Sequence, residues 1–242
     1  MLILRSIAFN ALFYLNTIIY LIIGLPTFFM PYRAIVGVAK SWGRTNLVLL
    51  RVVAGIDCEI RGREKIPKGP LIVASKHQSA WETFALLPLL ENPVFILKRE
   101  LQLIPIFGWL TIKGRMVPVR RGGGSQALTD MIERARIELA DNRQLIIFPE
   151  GTRRPAGAEP RYKIGVAHLY AAEGVPCLPI ALNSGLFWPR RSLRRFPGTV
   201  VAEILDPIPP GLGKEEFFER LQNELESATA RLIAEGRAQM KQ

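Results

Sequence analysis

The sequence predicts an α/β fold, a mixed, largely parallel sheet of about seven strands flanked by helices, with an N-terminal membrane-associated helical segment. From Asp57 onward, short β-branched or apolar runs alternate with helical patterns. Ahead of them lies a long stretch without a charged side chain. With 242 residues the chain can bury one α/β core and carry an appendage, which divides it into a helical hairpin over 1–55 and an α/β domain over 56–242.

The hairpin comes first. Between Arg5 and Arg33 no side chain is charged. As a helix, Ile7 to Gly24 reaches about 27 Å at roughly 1.5 Å per residue, close to the thickness of a bilayer core. Membrane insertion is therefore expected. A cleaved signal peptide would need small residues where the chain has "GLPTFFMPY", and a core helix would be shorter and more periodic. After the breaks at Gly24, Pro26 and Pro31, a second helix is expected from about Ala34 to Ala54. Its basic residues Arg33, Lys40, Arg44 and Arg51 fall within an arc of roughly 40°, with Ile35, Val38, Trp42, Leu49 and Val53 opposite. That pattern suits a helix lying among anionic headgroups; the plainer reading is a core-packed helix with a solvated charged face. The first acidic residue is Asp57, and the all-basic flank assigns this side to the cytoplasmic face of the cell (inner) membrane.

The strands are expected at "CEIRG", "PLIVAS", "PVFILK", "GRMVPV", "QLIIFP", "PCLPIAL" and "TVVAEIL". Two helices are clear between and after them. "SQALTDMIERARIELADN" places Leu128, Met131, Ile132, Ala135 and Leu139 on one face, and the C-terminal "KEEFFERLQNELESATARLIAEG" does the same with Phe217, Leu221, Leu225 and Leu232. Both read as packing helices. The aliphatic "LQLIPIFGWL" (101–110) is expected to pack into the core or to line a tunnel for an apolar chain. "RGGGSQ" (121–126) lacks the spacing of a nucleotide loop and reads as a hinge.

A net charge of +11 and a pI of about 10.1 predict an anionic partner: phospholipid headgroups, nucleic acid, an acidic carrier protein or a phosphorylated substrate. The uncharged N-terminal segment, and the lack of a recognisable reading helix or aromatic RNA platform, argue against nucleic acid. Cys58 and Cys177 match no metal-ligand or redox spacing and read as reduced structural residues, so no metal is expected.

Two stretches carry chemistry. "SKHQSAWET" (75–83) places His77 after the buried run "PLIVA", with Glu82 five positions on, in the kind of loop beyond a strand's carboxyl end where α/β proteins build sites. A neutral imidazole there accepts a proton, and a carboxylate reaching back across the turn orients the ring and stabilises the imidazolium. The substrate's own hydroxyl is one candidate for the third partner; Ser79 is the less expected nucleophile, since no G-x-S-x-G elbow surrounds it. Taken alone, the pair also suits a capping or core histidine. "LIIFPEGTRRP" (145–155) is a buried strand running into a Gly-containing turn with Arg153 and Arg154, able to offer N–H groups and guanidinium forks to a phosphate; its plainer reading is a charged turn.

In chain order, "HQSAWE", "GRMVPVRR", "FPEGTR" and "VPCLPIA" resemble the four motif blocks of the glycerolipid acyltransferase family, in particular its 1-acylglycerol-3-phosphate (lysophosphatidic acid) acyltransferases; the resemblance covers roughly Pro70 to Ala181. It implies that His77 is the general base, oriented by Glu82, and that the lysophosphatidic acid hydroxyl attacks a thioester directly, without an acyl-enzyme, giving phosphatidic acid. It also implies that Arg120 and the third motif's Glu150, Gly151, Thr152 and Arg153 bind the substrate phosphate and glycerol. No cofactor is implied; acyl-CoA or acyl-acyl carrier protein is the co-substrate, and an anionic phospholipid membrane is the other partner. Two departures stand out. Glu82 replaces the family's usual Asp, and "MVPVR" lacks the acid that usually precedes the second motif's arginine. The alternatives are an acyltransferase for a different lysolipid and a non-enzymatic anionic-lipid binding protein.

Overall fold

The computed structural model describes residues 1–120 and 122–240. It opens with two helices, α1 (Leu2–Gly24) and α2 (Tyr32–Leu49), joined by the 3-10 turn Leu25–Phe29 that Pro26 and Pro31 frame. α1 starts at Leu2 rather than Ile7, and α2 passes at Leu49 into a π-turn over Leu50–Ala54. β1 (Ile56–Arg61), β2 (Leu71–Ser75), the single-turn α3 (Glu82–Ala85) and β3 (Pro93–Lys98) follow. Next come α4 (Phe107–Lys113), β4 (Val117–Val119), α5 (Gly124–Ala140) and β5 (Gln144–Ile147). α6 (Gly165–Glu173), β6 (Cys177–Leu182), α7 (Ser184–Phe187), β7 (Gly198–Ile204) and α8 (Lys214–Gln239) complete the chain.

The seven strands form one sheet in the order β1-β7-β6-β2-β5-β3-β4. Every pairing is parallel except β6 with β7, which is antiparallel. The central strands are apolar except for Ser75 at the end of β2 and Gln144 at the start of β5, because both of their faces are covered. Ile72 and Ala74 of β2 turn toward α5, α6 and α8, joining Leu139, Leu169, Phe217, Leu221, Leu225 and Leu232. Leu71 and Val73, one residue out of phase, turn to the other layer with Trp81, Phe84, Phe187 and Trp188.

The N-terminal hairpin completes this second layer. Phe9 of α1 is fully buried, Leu50 and Ala54 join it, and Phe13 packs between Phe84 and Trp188. Polar ties hold the helices to each other and to the sheet domain. Asn16 Nδ2 donates to Asn46 Oδ1 (3.1 Å), and the Tyr20 hydroxyl meets Ser41 and Thr45. Lys40 Nζ donates to the carbonyls of Leu90 and Glu91. The buried Arg195 donates to Asn10 Oδ1 (2.6 Å) and lies over the Trp188 ring. One expectation changes here: Lys40 belongs to the expected basic stripe but is tied down by backbone carbonyls. Arg195 is a buried clamp on α1.

The opposite side of α1 is bare. Ile3, Leu4, Ile7, Leu15, Ile18 and Ile22 are exposed, and only 11% of the most apolar 18-residue window is buried. Phe28, Phe29 and Met30 extend this apolar surface at the turn. The segment "LQLIPIFGWL" is neither core nor tunnel along its whole length, because Leu103, Ile104 and Trp109 face outward while Gly108 and Leu110 are buried. Lys113 Nζ reaches the Phe28 carbonyl (3.3 Å), which brings the end of α4 beside the hairpin turn.

Candidate active site

Strands β6, β2 and β5 are neighbours and parallel, so their carboxyl ends open onto the same edge of the sheet. Three loops meet there. Lys76 to Ala80 follow β2, Phe148 to Arg154 follow β5, and Asn183 and Ser184 follow β6.

Glu82 opens α3 and is completely buried. Its Oε1 accepts the N–H groups of Gln78 and Ser79 (2.8 Å for Ser79) and lies 3.1 Å from His77 Nδ1. Its Oε2 accepts the hydroxyls of Ser79 (3.0 Å) and Ser184 (2.9 Å). The extra methylene of Glu over Asp is thus accommodated by a loop that wraps around the carboxylate. Burial raises this carboxyl's pKa, but the His77 imidazole and the Ser79 N–H outweigh it and hold the group below its ordinary value. Ser79 is spent on Glu82, in line with its not being a nucleophile.

His77 is held on four sides. Nδ1 faces Glu82, and the ring stacks on Phe148 with centroids 4.0 Å apart. Its backbone N–H donates to Glu150 Oε2 (2.9 Å), and its carbonyl accepts the Arg154 N–H (2.8 Å). With Nδ1–H assigned as donor to the anionic Glu82, Nε2 carries the lone pair; among the described residues it has no hydrogen-bond partner. The imidazole is therefore built to accept a proton from outside the protein.

Residues 57–183 match the family model described as Acyltransferase. The chain is 39% identical over 176 residues to the 1-acyl-sn-glycerol-3-phosphate acyltransferase of Pseudomonas aeruginosa, taking in 72% of this chain and 68% of that protein. The chain belongs to the acyltransferase family. The enzyme of the same name from Cocos nucifera is 29% identical over 203 residues (83% of this chain, 65% of that protein), and the human alpha form 30% over 169 residues (69% and 60%). The acyltransferase also shares its fold with the crystal structure of a 1-acyl-sn-glycerophosphate acyltransferase from Thermotoga maritima, with TM-score 0.79, 24% identity, and 97% and 100% of the two chains covered.

In this acyltransferase the third-motif residues divide their tasks. Both Glu150 oxygens face protein donors, Lys76 Nζ (2.7 Å) and the His77 N–H, and the side chain is buried. Gly151 sits in the left-handed region at φ 62°, which turns the chain back beneath the His77 loop at no steric cost. Thr152 is half-buried and Arg153 exposed. Arg120 follows β4, three strands from β2, and lines a cavity of about 350 Å³ with Arg99, Gln102 and Arg134. A second cavity of about 440 Å³ shares Gln102 and Arg134 with it and has an apolar wall of Ile112, Met116, Val117 and Ile137. Arg121 lies outside the described residues. Arg115 is tied to Glu138 and Asp141.

The sequence reading assigns no role to Lys76, Phe148, Ser184 or Glu226. Phe148 stands within the "FPEGTR" motif and could have been found. Ser184 reaches Glu82 across 102 residues and Glu226 reaches Lys76 across 150, distances at which no local pattern carries a signal.

Proposed function

We propose that the chain is a membrane-surface 1-acylglycerol-3-phosphate O-acyltransferase that makes phosphatidic acid for phospholipid biosynthesis. The observation that carries this reading is the His77 imidazole, oriented by a buried ionised carboxylate and stacked on Phe148, with Nε2 left without a partner among the described residues. Its support in relatedness is the P. aeruginosa enzyme.

Nε2 takes the proton of the acceptor's free hydroxyl as that oxygen attacks the carbonyl carbon of a thioester donor, acyl-CoA or acyl-acyl carrier protein. The C–O bond forms, the C–S bond breaks, and the imidazolium returns its proton to the departing thiolate. Glu82 stabilises the transient cation and keeps the ring from rotating. The thioester is already activated, so orientation supplies most of what the step requires.

The acceptor's phosphate is bound by Arg120 from its cavity and by Arg153 from the third-motif turn. His77 and Arg120 lie three strand steps apart, about 14 Å at roughly 4.8 Å per step, a span bridged by glycerol phosphate and an extended arginine side chain. The apolar wall of the neighbouring cavity suits a fatty acyl chain. The bare face of α1, with Phe28, Phe29 and Trp109, sits in the cytoplasmic leaflet while its other face stays docked on the protein; the helix dips into the membrane rather than crossing it.

Purified full-length protein supplied with labelled acyl donor and a panel of lysolipids tests the reading. Labelled phosphatidic acid should form from lysophosphatidic acid, and His77→Ala should abolish it. Equal turnover of a zwitterionic lysolipid would shift the acceptor assignment, and full activity in His77→Ala would remove the proposed base.

A further inference from the structure

Behind the loop that carries His77 lies an ion cluster that the chemistry of acyl transfer does not itself use. Lys76 is 3% exposed, although a lysine ammonium is strongly penalised out of water unless it is fully paired. Its Nζ lies 2.7 Å from Glu150 Oε1 and 2.6 Å from Glu226 Oε1. Glu226 belongs to α8, and its Oε1 also accepts the Tyr162 hydroxyl (2.7 Å), while the Tyr162 ring packs 5.2 Å from the Lys76 ammonium. Burial and the Glu226 charge both push the Tyr162 phenol well above its ordinary range, so it remains a proton donor.

At the other end of this chain of bonds stands the proposed base. Glu150 gives one oxygen to Lys76 and the other to the His77 N–H. A continuous series, Tyr162–Glu226–Lys76–Glu150–His77, therefore runs from the C-terminal helix to the backbone of the histidine. Two of the three ammonium hydrogens are spoken for by carboxylates, and burial keeps the third from substrate. Without the ammonium, Glu150 and Glu226 would become neighbouring carboxylates with no cation between them. The Glu150 carboxylate, 1% exposed, would then be a buried charge without its cation, and movement toward water would draw it away from the His77 N–H. Glu82 and Phe148 hold the ring, the backbone bonds to Glu150 and Arg154 hold the residue that carries it, and rate is steeply sensitive to that position.

We propose that Lys76 and Glu226 are positioning residues for acyl transfer, holding His77 in register through Glu150 and making the packing of α8 a determinant of turnover. This rests on the reading of His77 as general base. Glu150 then serves the site by fixing His77 rather than by touching the acceptor.

The test uses Lys76→Met and Glu226→Gln in the purified full-length protein, with kcat and KM measured for acceptor and donor. In Lys76→Met kcat should fall at least about tenfold while both KM values stay within about twofold, the signature of a displaced base rather than a lost substrate contact. Glu226→Gln keeps a hydrogen-bonding group of the same size and should lower kcat by a smaller factor. The chain has two histidines, His77 and His168, so protein labelled with ¹⁵N only at histidine reports the His77 amide against His168 as internal reference. In Glu226→Gln the His77 amide proton should move upfield as its bond to Glu150 weakens, with His168 nearly unmoved. An unmoved His77 amide overturns the link whatever the assay gives. So does kcat within twofold of wild type, or a loss confined to KM. Should Lys76→Met fail to fold, Glu226→Gln decides by the same two readings. Wild-type protein inactive on every lysolipid would instead defeat the functional reading, and the amide measurement, which needs no substrate, tells the two failures apart.

Discussion

Five donors converge on the Glu82 carboxylate: the N–H groups of Gln78 and Ser79, the hydroxyls of Ser79 and Ser184, and the His77 ring. Such a site needs a charged, acceptor-only group, because an amide in its place would turn two hydrogens toward donors. Glu82→Gln should therefore lower kcat by about a hundredfold or more, the usual scale for a disabled general base. Glu82→Asp keeps the charge and should retain measurable turnover. Full activity in Glu82→Gln would take the carboxylate out of the mechanism. The same environment has a pH signature. A carboxyl whose pKa is depressed by folding stabilises the native state above its unfolded value, and that stabilisation is lost as pH falls through the folded pKa. Wild type should thus exceed Glu82→Gln in Tm at neutral pH, with the lead beginning to shrink as pH drops below the ordinary carboxyl value of 4.5 and closing as pH falls through the lower folded value. A gap independent of pH would mean that the ionised form is not what the loop holds.

At the scale of elements, the hairpin and the active-site loop are mechanically joined. Gly43 of α2 packs so tightly that an added Cβ would stand 2.5 Å from the Phe84 carbonyl of α3 and 3.2 Å from Pro88 Cδ. Because α3 begins at Glu82, a wedge there bears on the carboxylate that orients His77. Gly43→Ala should cost about 1–3 kcal/mol of stability by overpacking, read as a lowered Tm. Gly37→Ala, on the same helix with nothing within 4 Å of its Cβ, should be neutral or up to about 1 kcal/mol stabilising. Equal effects at the two positions would show that helix propensity, not the contact with α3, governs α2. Elements also show how far local pattern reaches. "PVFILK" is a strand over its whole length, Pro93–Lys98, because its apolar side chains enter a sheet covered on both faces. "GRMVPV" yields only Val117–Val119, because Arg115 turns the chain with φ 58° and spends its guanidinium on Glu138 and Asp141. After the His77 loop the chain makes only a single helical turn at Glu82–Ala85 followed by a 3-10 turn at Leu87–Leu89, where Pro88 removes a backbone donor.

Across the whole molecule, the net charge of +11 and the bare apolar surface of α1, the hairpin turn and α4 favour an anionic bilayer. Phe29 is 95% and Trp109 53% exposed, on segments that the Lys113–Phe28 bond brings together. The double variant Phe29→Asp, Trp109→Asp should reduce partition into anionic vesicles by at least about a hundredfold, since each buried aromatic contributes about 1.5–3 kcal/mol. Raised salt should weaken wild-type binding through its electrostatic part alone. Undiminished flotation of the double variant would show that another surface meets the membrane.

The sequence by itself determined the strand-and-helix alternation, the positions of seven strands, the apolar faces of α5 and α8, and the placing of His77 and Glu82 beyond a strand end. These are legible because side-chain period and motif spacing are local properties of a chain. Only the tertiary structure decided that α1 lends Phe9 and Phe13 to the core while baring its other face, that Lys40 and Arg195 are clamps, and that Glu150 bonds the His77 backbone. It also brought Ser184 to Glu82 and Glu226 to Lys76, across 102 and 150 residues. The physical reason is that a residue's charge and polarity are written in its type, but whether they meet water, lipid or another side chain depends on strand order and helix docking. Those follow from the packing of the entire chain.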